Sequence, residues 1–193
     1  MRTLSIAILA LISWSLASSE APAPETRMAA PPLHIIVPED YGSHPQNWGI
    51  SQDAEGRILV ANVRGILVHD GASWEHVIPH DGFRTQGFVK TRDDAVFVYA
   101  QNEFGRLVGD GRLGHQFESL IPETYRTAFD SERVRTALAH QGRIWLNTPS
   151  GIWCWCDGTL QQRFRNDQGG FNSLHLIGDQ VLVRWNTATA LSE

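Results

Sequence analysis

From residue 56 to 71 the chain reads GRILVANVRGILVHDG, and from 142 to 158 it reads GRIWLNTPSGIWCWCDG. Near-repetition constrains the fold more than any other feature, because a unit written more than once solves the same packing problem each time. A further copy lies between these two: GFVKTRD (87–93), then AVFVYAQ, then GRLVGDG, then HQFESL. A last one opens with SLHLIGD and QVLVRWN and breaks off. The anchoring glycines Gly65, Gly105 and Gly151 are spaced by 40 and 46 residues. Each unit holds short runs of β-branched, aromatic and aliphatic residues, separated by turn signals such as Asp53-Ala54-Glu55-Gly56, Asp70-Gly71, Asp110-Gly111 and Asp157-Gly158. Asp-Gly closes a tight hairpin because both residues tolerate positive φ. Four strands every forty-odd residues is the pattern of a β-propeller, one twisted four-stranded sheet per blade. A helical repeat would show a 3.6-residue apolar period, which is absent.

The second run of each unit is almost wholly apolar: Ile58-Leu59-Val60, Val96-Phe97-Val98, Ile144-Trp145-Leu146 and Val181-Leu182-Val183. Unbroken apolar strands are buried on both faces, as the central strands of face-to-face blades must be. The polar stretch PETYRTAFDSERV (122–134) falls between the second and third units and reads as an inserted loop or short helix. The expected fold is all-β, a propeller of four-stranded antiparallel blades at about 44–82, 83–121, 133–168 and 170–193, within a folded region 34–193. That makes roughly three and a half blades, fewer than the about 4 to 8 of a closed ring. An open ring exposes apolar strand edges to water, so the chain reads as the N-terminal piece of a longer protein.

The first residues stand apart. Arg2 precedes an apolar stretch from Leu4 to Leu16, with Ser15 and Ala17 placed for cleavage before Ser18. This is the layout of a secretory signal peptide, residues 1–17, and the stretch is shorter than the ~20 residues of a bilayer span. Residues 18–33 are rich in Pro, Ala and Ser and read as a linker. The expected location is periplasmic or extracytoplasmic, with no membrane span left after signal removal. Charged residues are only 19% of the chain, the formal net charge is −5, and Lys90 is the single lysine. No cationic run exists to displace counterions from phosphates, so no nucleic-acid partner is expected.

The stretch QNWGISQDAEGRILVANVRGILVHDGASW, together with NEFGRL (102–107) in the next unit, resembles the two-component regulator propeller repeat. The resemblance implies an extracytoplasmic ligand-sensing propeller of a bacterial signalling receptor, non-catalytic by itself. Its ligand would be a small molecule or oligosaccharide. A shift in blade or homodimer packing would pass the signal through a membrane helix to an output domain, such as a histidine kinase or diguanylate cyclase. The rival readings are an exported propeller enzyme, of polysaccharide-lyase or quinoprotein type, and a protein-binding scaffold.

Candidate chemistry is sparse. Cys154 and Cys156 point to one face of a strand, but zinc wants four ligands and a bridge between strand neighbours is strained; they read as core. His69, His76 and His80 straddle a turn and two strands, which is poor metal geometry, and His69 is expected to face solvent. Asp53, Asp93-Asp94, Asp70, Asp110 and Asp157 recur once per unit, as turn residues do and catalytic carboxylates do not. Tyr41, Tyr99 and Tyr125 fall in a loop, a strand and the insertion, and do not suggest one site. Of the tryptophans, Trp74, Trp145, Trp153, Trp155 and Trp185 sit in strand patterns and read as blade filling. Trp48, at the start of an innermost strand, is the ligand-binding candidate lining the central channel. Nucleotide-loop, nucleophile-elbow and zincin motifs are absent, and no catalytic residue, metal or cofactor is expected.

Overall fold

In a computed structural model, residues 33–79, 82–109, 114–166 and 172–185 are described, and everything below concerns the unit from Ile36 onward. The signal-peptide and most of the linker reading, the Asp110-Gly111 turn and His80 lie outside the described residues.

The repeat is realised as successive antiparallel sheets whose strand order follows the chain. The first sheet joins β1 (Asn47–Gln52), β2 (Ile58–Asn62), β3 (Gly65–His69) and β4 (Trp74–Val77). The second joins β5 (Thr85–Lys90), β6 (Val96–Ala100), β7 (Phe104–Gly109) and β8 (His115–Ser119). The third joins β9 (Thr136–His140), β10 (Arg143–Thr148), β11 (Gly151–Cys156) and β12 (Thr159–Arg165), and β13 (Asn172–Ile177) with β14 (Gln180–Trp185) forms a two-stranded sheet. The first strands line up side by side: β1 lies against β5, β5 against β9, and β9 against β13. These sheets are the blades of an incomplete β-propeller, with the leading strand of each blade innermost.

Apolar side chains fill the spaces between blades rather than one central core. Leu59, Ile66, Val68 and Val77 of the first blade pack on Val96, Val98 and Leu107 of the second. Val89 and Phe104 of the second meet Ile144, Leu146, Trp153 and Leu160 of the third. The insertion contributes here: it forms α2 (Glu123–Phe129) and drives Phe129, fully buried, edge-on to Trp153 at 4.9 Å. A second short helix, α1 (Pro38–Tyr41), holds Tyr41 where a loop was expected; Pro38 at its first position pre-sets the helical φ.

The anchoring glycines follow from strand spacing. A Cβ on Gly65 would lie 2.6 Å from the Val77 carbonyl oxygen, and on Gly105 or Gly151 it would strike the Glu118 or Phe164 carbonyl. The third strand of each blade thus crosses the end of the fourth too closely for any side chain. In β14, by contrast, Leu182 and Val183 are each 42% exposed, although the apolar run predicts burial on both faces. The two-stranded sheet meets the third blade chiefly through β13, which lies against β9 and β10, and leaves β14 exposed.

Candidate functional site

A cleft of about 710 Å³ opens between the second and third blades. Its apolar floor comes from inward positions of facing strands: Phe97 of β6, Ala139 of β9, Ile144 of β10 and Trp155 of β11. Strand alternation sets this arrangement, since Trp155 pairs with Ile144 and both turn toward the second blade. Behind the floor, Phe104 stacks on Phe97 with ring centroids 6.0 Å apart and lies 6.2 Å from Trp155. The rim is polar and comes from the β5–β6 and β9–β10 turns. Lys90 Nζ is 2.7 Å from Asp94 Oδ1, and His140 Nε2 donates to the Asp179 carbonyl oxygen at 3.1 Å. Arg106, on the cleft wall, pairs with Glu118 at 2.7 Å. An apolar floor with a few oriented polar groups around it is the usual make-up of a small-molecule site.

A second, polar cavity of about 480 Å³ is bordered by Arg84, Gln101, Glu103 and Arg126. Glu103 is buried, and its carboxylate accepts from the Phe104 backbone N–H at 3.0 Å, from Ser119 Oγ at 2.7 Å and from Arg126 Nη1 at 2.7 Å. The Glu-Phe-Gly triplet thus has a structural reason: Glu103 ties α2 to the second blade, Phe104 plugs the interblade core, and Gly105 leaves room for the fourth strand. Between the first and second blades, His115 forms a third cluster. Its Nδ1 lies 2.7 Å from Glu75 Oε2, while its Nε2 is 3.7 Å from Asp53 Oδ2 and has no hydrogen-bond partner. These groups bridge β4, β8 and the β1–β2 turn, so they clasp two blades together.

The residues singled out in the sequence are dispersed. Trp48 lies on β1 where the register with β2 shifts, is 43% exposed, and stands apart from the interblade cleft. The His69 ring lies tilted against that of Trp74, centroids 4.5 Å apart, and is half-buried rather than freely solvated, because the ring of its strand partner covers it. His76 Nε2 donates to the Tyr41 carbonyl oxygen. Tyr99 packs against the second interblade core and Tyr125 lies edge-on to Trp153 at 5.2 Å. Among the described residues, no group of three or more His, Cys, Asp or Glu side chains is placed to hold a metal ion. Cys154 and Cys156 are both buried and unbridged.

Asp70 and Asp53 hold turns through backbone hydrogen bonds. Asp70 Oδ1 accepts from the Ala72 and Ser73 backbone N–H groups at 2.8 and 2.7 Å, and these bonds push its pKa down to about 2. Burial pushes the Asp53 carboxyl up, but bonds from the Arg57 side chain and backbone and from the Glu55 N–H outweigh it, leaving the pKa below its ordinary value. Depressed carboxyls stay ionised in the fold after the unfolded chain has begun to take up protons. Stability from these turns is therefore full above the ordinary value of 3.8 and drains away as pH falls toward about 2. Urea midpoints measured at pH 5 and pH 2.5 are expected to drop less for the double variant D53N/D70N than for the native chain. An equal drop in both would remove these turns as the source.

No protein-family model matches the chain, and no curated protein matches it in sequence. Among solved structures it is similar to selenomethionine-substituted virginiamycin B lyase from Staphylococcus aureus, with a TM-score of 0.55 and 14% identity over 72% of this chain and 49% of the lyase. It is likewise similar to the extracellular domain of a protein assigned as a one component system from B. thetaiotaomicron, with a TM-score of 0.53 and 15% identity over 72% of this chain and 22% of that one. The chain thus spans about half the length of the first and about a fifth of the second. At such identities the likeness establishes the fold alone: the protein is a β-propeller. No described helix is long and apolar enough to cross a membrane.

Proposed function

We propose that the chain is the ligand-sensing propeller of an exported bacterial receptor of the two-component regulator type, and that a small molecule or oligosaccharide binds between the second and third blades. The observation that carries this reading is the cleft with its Phe97 and Trp155 floor and polar rim. The fold likeness to an extracellular one-component-system domain supports the sensing role. Blades that share an apolar seam respond as units. A ligand gripping both sides of one seam favours one packing over another and so transmits binding as a shift between states. Trp48 remains the proposed contact for a ligand lying on the inner strands. The chain by itself is read as non-catalytic and without a cofactor.

Isothermal titration against a panel of neutral and acidic oligosaccharides and small metabolites tests this. Trp155→Ala is expected to weaken a binding ligand about tenfold or more, because its aromatic face is lost from the floor. A ligand whose affinity ignores Trp155→Ala but collapses with Trp48→Ala places the site on the inner strands instead. Turnover of a bound oligosaccharide would overturn the sensor reading in favour of a propeller enzyme.

A further inference from the structure

The two cysteines, which read as plain core in the sequence, have an arginine on them. Cys154 Sγ–H donates to Cys156 Sγ at 2.8 Å, and Arg163 Nη2 from β12 donates to the same Cys156 sulfur at 3.3 Å. Cys156 therefore receives two hydrogen bonds at its sulfur, one from a cation, which favours the thiolate there. Arg143, at the start of β10 beside the register partner of Trp155, adds a further positive charge near Cys156. Burial and the Cys156 thiol push the Cys154 pKa up to about 12, whereas the hydrogen bond from Cys154, followed by Arg163 and then Arg143, holds Cys156 below its ordinary value despite its burial. The two sulfurs thus sit in different surroundings: Cys156 accepts from both Cys154 and Arg163, and Cys154 is its hydrogen-bonded neighbour. Cys156 ends β11 beside the Asp157-Gly158 turn, where both residues have positive φ. It is 2% exposed, with the exposed Arg163 side chain over it.

We propose that Cys154 and Cys156 form a redox dithiol oxidised by small hydroperoxides, with Cys156 attacking and Cys154 resolving. The Cys156 thiolate attacks the terminal peroxide oxygen and breaks the O–O bond. The departing alkoxide or hydroxide takes a proton, leaving Cys156 as a sulfenic acid. Cys154 then attacks the Cys156 sulfur; its proton and the sulfenic hydroxyl leave as water, and the S–S bond forms. The dithiol loses two electrons, and the peroxide gains them as an alcohol and water. Two strand steps span about 6.7 Å, the upper limit of Cα separation that a disulfide bridges. Closing the bond therefore draws in the end of β11. Trp155 lies between the two cysteines and faces the opposite way, onto the cleft floor, so oxidation re-sets the cleft. That last consequence rests on the ligand-binding reading; the oxidation itself does not.

The native chain treated with hydrogen peroxide is expected, by mass spectrometry, to lose two hydrogens in the peptide holding both cysteines, and to regain them with a dithiol reductant. Cys154→Ser is expected to stop at a sulfenic acid on Cys156 that dimedone traps. Arg163→Gln, a surface substitution that keeps the test alive if the serine variant misfolds, is expected to slow the first step about tenfold. Oxidation that needs denaturant, or that proceeds at the same rate in Arg163→Gln, overturns the proposal; so does capture of a soft metal ion in place of disulfide formation. A disulfide that leaves the Trp155 emission, identified by difference from Trp155→Phe, unchanged keeps the dithiol and removes its link to the cleft. A chain that oxidises as expected but binds no ligand sinks the sensing reading alone.

Discussion

Replacing Phe104 by alanine is expected to cost about 3–5 kcal/mol, the range for deleting a fully buried aromatic ring. Phe104 has no exposed surface, stacks on Phe97, touches Trp155 and belongs to the seam that joins the second and third blades. The surrounding strands are pinned by their ladders, so the space left by the ring cannot collapse, and the cavity penalty is added to the lost burial. A domain's whole stability is about 5–15 kcal/mol, so this one change leaves the third blade loosely docked or the chain unfolded. Urea denaturation followed by circular dichroism reads it as a large fall in midpoint. A loss below about 1 kcal/mol would falsify the view that interblade seams, rather than individual sheets, hold the fold.

Gly151→Ala is expected to be nearly as damaging, at about 3 kcal/mol. Gly151 has φ +147°, in a region L-residues avoid, and a Cβ there would strike the Phe164 backbone carbonyl, which is fixed by the β11–β12 ladder. Gly158→Ala is the control. It too has positive φ, +74°, but nothing lies within 4 Å of the added methyl. Its cost should be only about 1 kcal/mol, the conformational part alone. Equal effects at the two positions would show that φ, and not the crossing of the third strand over the fourth, explains why each repeat carries a glycine at this point.

That repeat is the reason the architecture was legible. Gly65, Gly105 and Gly151 mark the same crossing three times, and the apolar second strands mark the same two-sided burial. Local rules of turn and alternation are short-range, so they survive in a single sequence. The exposed run of β14 departs from the pattern because burial depends on whether a neighbouring blade is packed there, which no strand encodes about itself.

The site was much less legible. Glu103 and Arg126 meet at 2.7 Å across 23 residues, and Arg163 reaches Cys156 from the next strand. Neither pairing has a sequence spacing that marks it. The cysteines looked like small core residues because alternation places them correctly on one face, and it is silent on what lies above that face. Trp155 looked like blade filling and is indeed packed, yet its other edge floors a cleft. Trp48 was drawn out by its place on an inner strand, and that placement holds.

By itself, then, the sequence determined the class of fold, the number of sheets and the residues that turn them, since each follows from contacts within one repeat or between adjacent ones. Only the tertiary structure decided where a ligand-sized cleft opens, that an arginine stands over one of two cysteines, and which glutamate braces the inserted helix. Those depend on side chains from different strands converging, and convergence is set by how the blades stack.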